Sequence, residues 1–164
     1  MSASENIVEA LSDVGRSGTV GPVYITALAA LCIPHPGRPK PFWHSLPLSD
    51  SKWTLSGRDY PDTSCFFGQR ELVNVTEYFA LAGIKTDLVH CASYERAIFD
   101  LLYRHIEKDN AMVPNVQASD VNDAVSFERI LTWVLELERS GQLKRAEAMR
   151  GWLTSAEPWV TAER

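Results

Sequence analysis

Apolar residues recur every three or four positions over most of this chain, the spacing that gathers them on one face of an α-helix. The pattern predicts about six helices. In the first, Ile7, Leu11 and Val14 share a face, Ser2 with Glu5 forms a capping-box start, and Gly15 supplies a stop. The second opens near Pro22 and runs through "VYITALAALCI", apolar on nearly every side and therefore buried, with a strand as the alternative for its β-branched start. Helical spacing returns with Leu72, Val75, Phe79 and Ala82 and ends at Gly83. Ser93 then caps "YERAIFDLLYRHIEK", where Ala97 and Leu101 lie beside Ile98 and Leu102 as a core stripe.

The last two helical stretches are "VNDAVSFERILTWVLELER", capped by Ser119 or Asp120, and "LKRAEAMRGWL", with Ser140-Gly141 between them. So short a link makes two helices fold back on each other, which predicts a C-terminal helical hairpin over 120–155. The spacing of Gly141, Leu143 and Ala146 resembles the second half of a tetratricopeptide unit. No second copy follows at a period near 34 residues, and stacked repeats need several copies.

Residues 33–67 interrupt the helical pattern. Pro34, Pro36, Pro39, Pro41, Pro47 and Pro61 fall here, together with the alternating "SKWTLSG", so the segment reads as an irregular Pro-rich arm or a small β element. The expected fold is a mainly α single domain spanning residues 1–164.

Composition changes this picture little. With 45% hydrophobic and 23% charged residues the chain is an ordinary globular sequence, and 164 residues suffice for one core. A net charge of −5, spread evenly along the chain, advertises no phosphate-tracking surface. No basic n-region with an apolar core opens the sequence, and no apolar run reaches bilayer-spanning length, so a cytoplasmic location away from the membrane is expected. The three cysteines, Cys32, Cys65 and Cys91, are widely spaced and fit reduced thiols.

Three groups of residues bear on possible chemistry. Zinc prefers four sulfur or imidazole ligands, and Cys32 with His35, then His44, Cys65, His90 and Cys91, offer donors; adjacent His90 and Cys91 are poorly spaced to share one ion. No nucleophile, zinc-protease or phosphate-loop signature accompanies them, and Asp50, Asp59 and Asp62 read as turn formers. "EYFALAGIKTDLVHCASYERAIFDLL" echoes a helix-turn-helix, but the candidate recognition segment, "KTDLVHCASY", lacks the basic and amide side chains that read DNA.

The remaining feature is "IPHPGRPKPFWHSLP". Its prolines pre-stiffen the backbone, leaving little entropy to lose on binding, and large aromatics follow directly. A recognition surface of Arg38, Phe42, Trp43, His44 and Trp53 is therefore expected, the alternative being that the tryptophans fold back as a lid. The functional expectation is a non-catalytic intracellular protein that binds another protein, as inhibitor, neutralising partner or adaptor, with no cofactor and no nucleic acid. A small enzyme or metalloprotein using the Cys and His residues is the alternative, and a DNA-binding protein the third.

Overall fold

The computed structural model describes residues 6–16, 23–41, 53–106, 113 and 116–155. In chain order the elements are α1 (Ile7–Arg16), α2 (Ala27–Leu31), α3 (Ser64–Phe67), β1 (Leu72–Asn74), α4 (Thr76–Leu81), β2 (His90–Ala92), α5 (Tyr94–His105), α6 (Ala118–Val121), α7 (Phe127–Arg139) and α8 (Leu143–Thr154). The described part is mainly α with a small two-stranded sheet, and among the described residues no helix is long and apolar enough to cross a membrane.

β1 and β2 pair antiparallel, with Leu72 opposite Ala92 and Asn74 opposite His90. An extended segment around Ile25 lies along the other edge of β2. The Ile25 N–H donates to the His90 carbonyl at 3.0 Å, and the Ala92 N–H donates to the Ile25 carbonyl at 2.8 Å. On its far side, Thr26 N–H bonds Thr54 O at 2.9 Å and Ser56 N–H bonds Tyr24 O at 3.0 Å. The apolar stretch expected as one helix therefore divides. Its β-branched beginning joins the sheet, and only Ala27–Leu31 is helical. For the same reason Leu72–Asn74, expected as the start of a helix, is strand β1.

α5 is the centre of the molecule. It is buried on every side from Tyr94 to Leu102, packed against α2, α7 and α8, and held at its start by the Ser93 side chain, which accepts from Arg96 N–H at 3.2 Å. Buried side chains from Ile7 in α1 to Leu153 in α8 join in one contiguous cluster with this helix.

Helix ends are set by local chemistry. After α4, Gly83 N–H bonds Ala80 O and Ile84 N–H bonds Phe79 O; after α7, Gly141 N–H bonds Glu138 O and Gln142 N–H bonds Leu137 O. Both are the paired reverse bonds of a Schellman stop, with glycine at φ +80° and +93° where a side chain would be strained. α1 begins differently from expectation. Asn6 accepts from Val8 N–H at 2.9 Å as the cap, the expected Ser2–Glu5 box lies outside the described residues, and the helix continues past Gly15 to Arg16. The helix expected from residue 120 is also divided: α6 ends at Val121, and Ser126 starts α7 by accepting from Arg129 N–H.

Candidate functional site

After α2 the chain turns through Ile33 and runs non-helically to Pro41 across the start of α5. Two side chains of α5 hold it. Tyr94 donates its hydroxyl to the Ile33 carbonyl at 2.9 Å and accepts from the His35 N–H at 3.0 Å, while the His35 ring stacks on its face at 3.9 Å and 9°. Glu95, only 1% exposed, grips Arg38 with both oxygens at 2.6 and 2.7 Å and also accepts from Ser126 N–H at 3.0 Å. Arg38 in turn donates to Ala124 O at 2.8 Å and lies over the Tyr94 ring. Burial works to raise the Glu95 acid, but the bonds from Arg38 and Ser126 prevail and hold it below the usual carboxylate range. One carboxylate thereby fastens the proline segment, the 122–126 connection and α5 together, which also explains why the chain breaks before α7.

The outer side of this segment remains open: Pro34, Pro36, Gly37 and Pro39 are exposed. Beside it is a cavity of about 390 Å³ bounded by Pro34, His35 and Pro36 on one side and by Val75, Tyr78 and Leu81 of the β1–α4 region on the other. Leu81 is 82% exposed at its edge. His35 is 4% exposed, and neither ring nitrogen has a hydrogen-bond partner among the described residues. Burial, reinforced by the Arg38 charge and opposed by Glu95, pushes the imidazole down to about 4, so it is neutral at physiological pH.

A second polar cluster lies deeper, under the same helix. Asp100 is wholly buried and accepts from Thr26 Oγ1 at 2.6 Å, Thr63 Oγ1 at 2.6 Å and the Tyr24 hydroxyl at 3.1 Å. Burial pushes its acid up to about 6, against the opposing bonds from Thr26 and Thr63 and the Arg96 charge. Arg96, also wholly buried, donates to Arg70 O at 2.8 Å and to the Tyr24 hydroxyl at 3.0 Å, with its guanidinium over the rings of Tyr24 and Phe67. This cluster ties α5 to the segments at 24–26, 63–64 and 68–70. Its side chains are closed from solvent, and it serves the fold.

Against the expected recognition surface, the placements are mixed. Trp53 corrects the expectation: it is 1% exposed, packed on Phe79 at 5.4 Å between ring centres, and belongs to the core. A large apolar ring beside the central strands gains more from burial than from exposure. Arg38 is present at the segment, but its guanidinium is engaged in holding the segment in place. Phe42, Trp43 and His44 lie outside the described residues.

Among the described residues, the donors of the alternative metal reading are not brought together. Cys91 is in the core with its thiol pushed up by burial, Cys65 is exposed on α3, Cys32 ends α2, and His44 is outside the described residues. Among the described residues no three His, Cys, Asp or Glu side chains are placed to share an ion. Asp59 accepts from Leu55 N–H and Asp62 from Ser64 N–H, the turn-forming role read from the sequence, while Asp50 is outside the described residues. The candidate recognition segment weighed for DNA binding contains strand β2, because residues 90–92 are paired on both edges.

Tyr94, Glu95, Arg96 and Asp100 were not singled out by the sequence reading. Their signal is three charged residues, Glu95, Arg96 and Asp100, set among the apolar stripe of Ala97, Ile98, Leu101 and Leu102, a sign of internal pairing that spacing alone does not turn into partners. Comparison with protein-family models, with curated proteins and with solved structures finds no match to this chain.

Proposed function

We propose that this chain is a non-catalytic protein that works by binding another protein, using the exposed face of residues 34–41 and the neighbouring cavity edge at Leu81. The observation that supports the reading is the clamp: Tyr94 and Glu95 fix a proline-rich strip in place before any partner arrives, so binding costs little ordering entropy. Prolines and an exposed leucine beside a concave apolar surface suit protein recognition. An inhibitor, a neutralising partner and an adaptor all use such a surface.

The reading keeps residues 1–164 as one domain and residues 120–155 as a helical hairpin; the contiguous buried cluster and the packing of α7 on α8 support both. It places the chain in the cytoplasm, the compartment that keeps Cys32, Cys65 and Cys91 as thiols. The test is a pull-down from the source cells with quantitative mass spectrometry, wild type against Pro36→Asp. A protein enriched by the wild type and lost with the variant supports the reading. Equal recovery from both, or a chain recovered alone, rejects it.

A further inference from the structure

A charge needs water or a counter-group, and His35 is placed where a charged imidazole would have neither. Both ring nitrogens are closed from solvent, and neither meets a donor or acceptor among the described residues. The ring lies flat on Tyr94. The titratable and charged groups about it are Arg38 on its own segment, Tyr94 and Glu95 on α5, and Glu77 and Tyr78 across the cavity on α4. None of them bonds the imidazole. Arg38 adds a like charge over the Tyr94 ring, Glu95 is already paired with that arginine through both oxygens, and Glu77 is exposed.

The segment that carries this ring is held to α5 by side chains. Tyr94 holds the Ile33 carbonyl and the His35 N–H, and Glu95 holds Arg38. Acid weakens both holds. His35 titrates at about 4 in place against 6.5 ordinarily, so the closed segment is favoured in full above pH 6.5 and loses that preference as pH falls toward 4. Glu95 is held below its ordinary 4.5, so its contribution is present above pH 4.5 and is lost as pH falls further. The core beneath responds in the opposite sense. Asp100, under the same helix, titrates at about 6 against 3.8, so its ionisation cost disappears on acidification.

We propose that residues 34–41 form an acid-released strap: protonating His35 parts the segment from Tyr94 and Glu95 as a local event, while α5 and the cluster at Asp100 stay folded. Opening hydrates the imidazolium and uncovers the Tyr94 ring. Local openings of this kind are drawn from segments whose hold on the core is a few bonds. Where the strap is also the partner-binding face, acid frees the partner; that consequence rests on the protein-binding reading above, and the strap itself does not.

The test is amide hydrogen exchange on the full chain, read by NMR as protection factors at pH 7 and pH 4.5. The His35 N–H, bonded to Tyr94, reports the strap, and the Leu101 and Leu102 N–H groups, buried on α5, report the core. With the imidazole at about 4 when closed and 6.5 when open, His35 protection should fall about fiftyfold between the two conditions. Protection at Leu101 and Leu102 should change by less than about fivefold, because Asp100 offsets His35 in complete unfolding. His35→Phe keeps a ring on Tyr94 without a titrating nitrogen and should hold the change at residue 35 within about threefold. A fall at His35 matched at Leu101 and Leu102 is unfolding of the whole domain and overturns the proposal. So does unchanged protection at His35, or an equal fall in His35→Phe. If His35→Phe does not fold, the wild-type contrast between His35 and α5 decides alone. Partner captured at pH 7 should leave the wild type in a pH 4.5 wash and stay on His35→Phe; partner kept by the wild type overturns its release by acid. No partner at pH 7 rejects the protein-binding reading while the exchange result stands.

Discussion

His35 lies flat on Tyr94, ring centres 3.9 Å apart, and the same tyrosine hydroxyl bonds both the His35 N–H and the Ile33 carbonyl. A single side chain at the start of α5 thus fixes two main-chain groups of a segment that has no ladder of its own. Tyr94→Phe removes both bonds while leaving the stack. Two main-chain groups then lose their partner, for an expected loss of about 1–3 kcal/mol, read from urea unfolding midpoints. A change below about 0.5 kcal/mol would mean that the hydroxyl does not hold the segment.

The Arg38–Glu95 pair is half in water and half out: the Arg38 side chain is 31% exposed and Glu95 1%. Glu95→Ala releases Arg38 to solvent and leaves the Ser126 N–H unanswered; Arg38→Ala strands a buried carboxylate, which is worse. The expected losses are about 2 and about 3–4 kcal/mol, in that order. The double variant should cost less than the sum of the two, because the stranded charge is then absent. Additive losses would show that the two side chains do not act as a pair.

Two buried groups give pH dependences of opposite sign. His35 titrates at about 4 in the fold against 6.5 ordinarily, so its contribution is full above pH 6.5 and is lost as pH falls toward 4, about 3 kcal/mol in all. Asp100 titrates at about 6 against 3.8, so its ionisation cost is absent below pH 4 and grows as pH rises to 6, again about 3 kcal/mol. In the wild type the two offset each other between pH 4 and 6. Relative to wild type, Asp100→Asn should lose stability more steeply on acidification, and His35→Phe less steeply or with a gain. Parallel profiles for all three proteins in that window would contradict both assignments.

Thiol reactivity checks the placement of the sheet. Cys65 is exposed, Cys32 half-buried with its acid raised by burial, and Cys91 buried between paired strands. A maleimide titration at pH 7.5 should label Cys65 first, Cys32 slowly and Cys91 only in denaturant, with peptide mapping to identify each. Early labelling of Cys91 would place residues 90–92 outside the core.

What the sequence revealed and what it hid divide along one physical line. Gly83, Gly141 and the Ser93 cap were legible because each acts on main-chain groups within a few residues. The conversion of residues 24–26 and 72–74 to extended chain was not, since the partners of Ile25 are at 55 and 91 and those of Leu72–Asn74 at 90–92. The same distance hid the clamp. Glu95 reads as an exposed first-turn acid until Arg38 and Ser126 arrive from either side. The prolines identified the strip, but only α5 reveals what holds it, and Trp53, chosen for its size, was drawn into the core for that same size.

The claim that residues 34–41 form a partner-binding face is most directly tested by a photo-crosslinking residue placed, in separate chains, at Pro36, at Leu81 and, as the control, at exposed Lys144 in α8, with irradiation in the source cells. The account predicts one discrete adduct, the same protein from positions 36 and 81, and none from position 144. No adduct from either position, or the same adduct from all three, would contradict it.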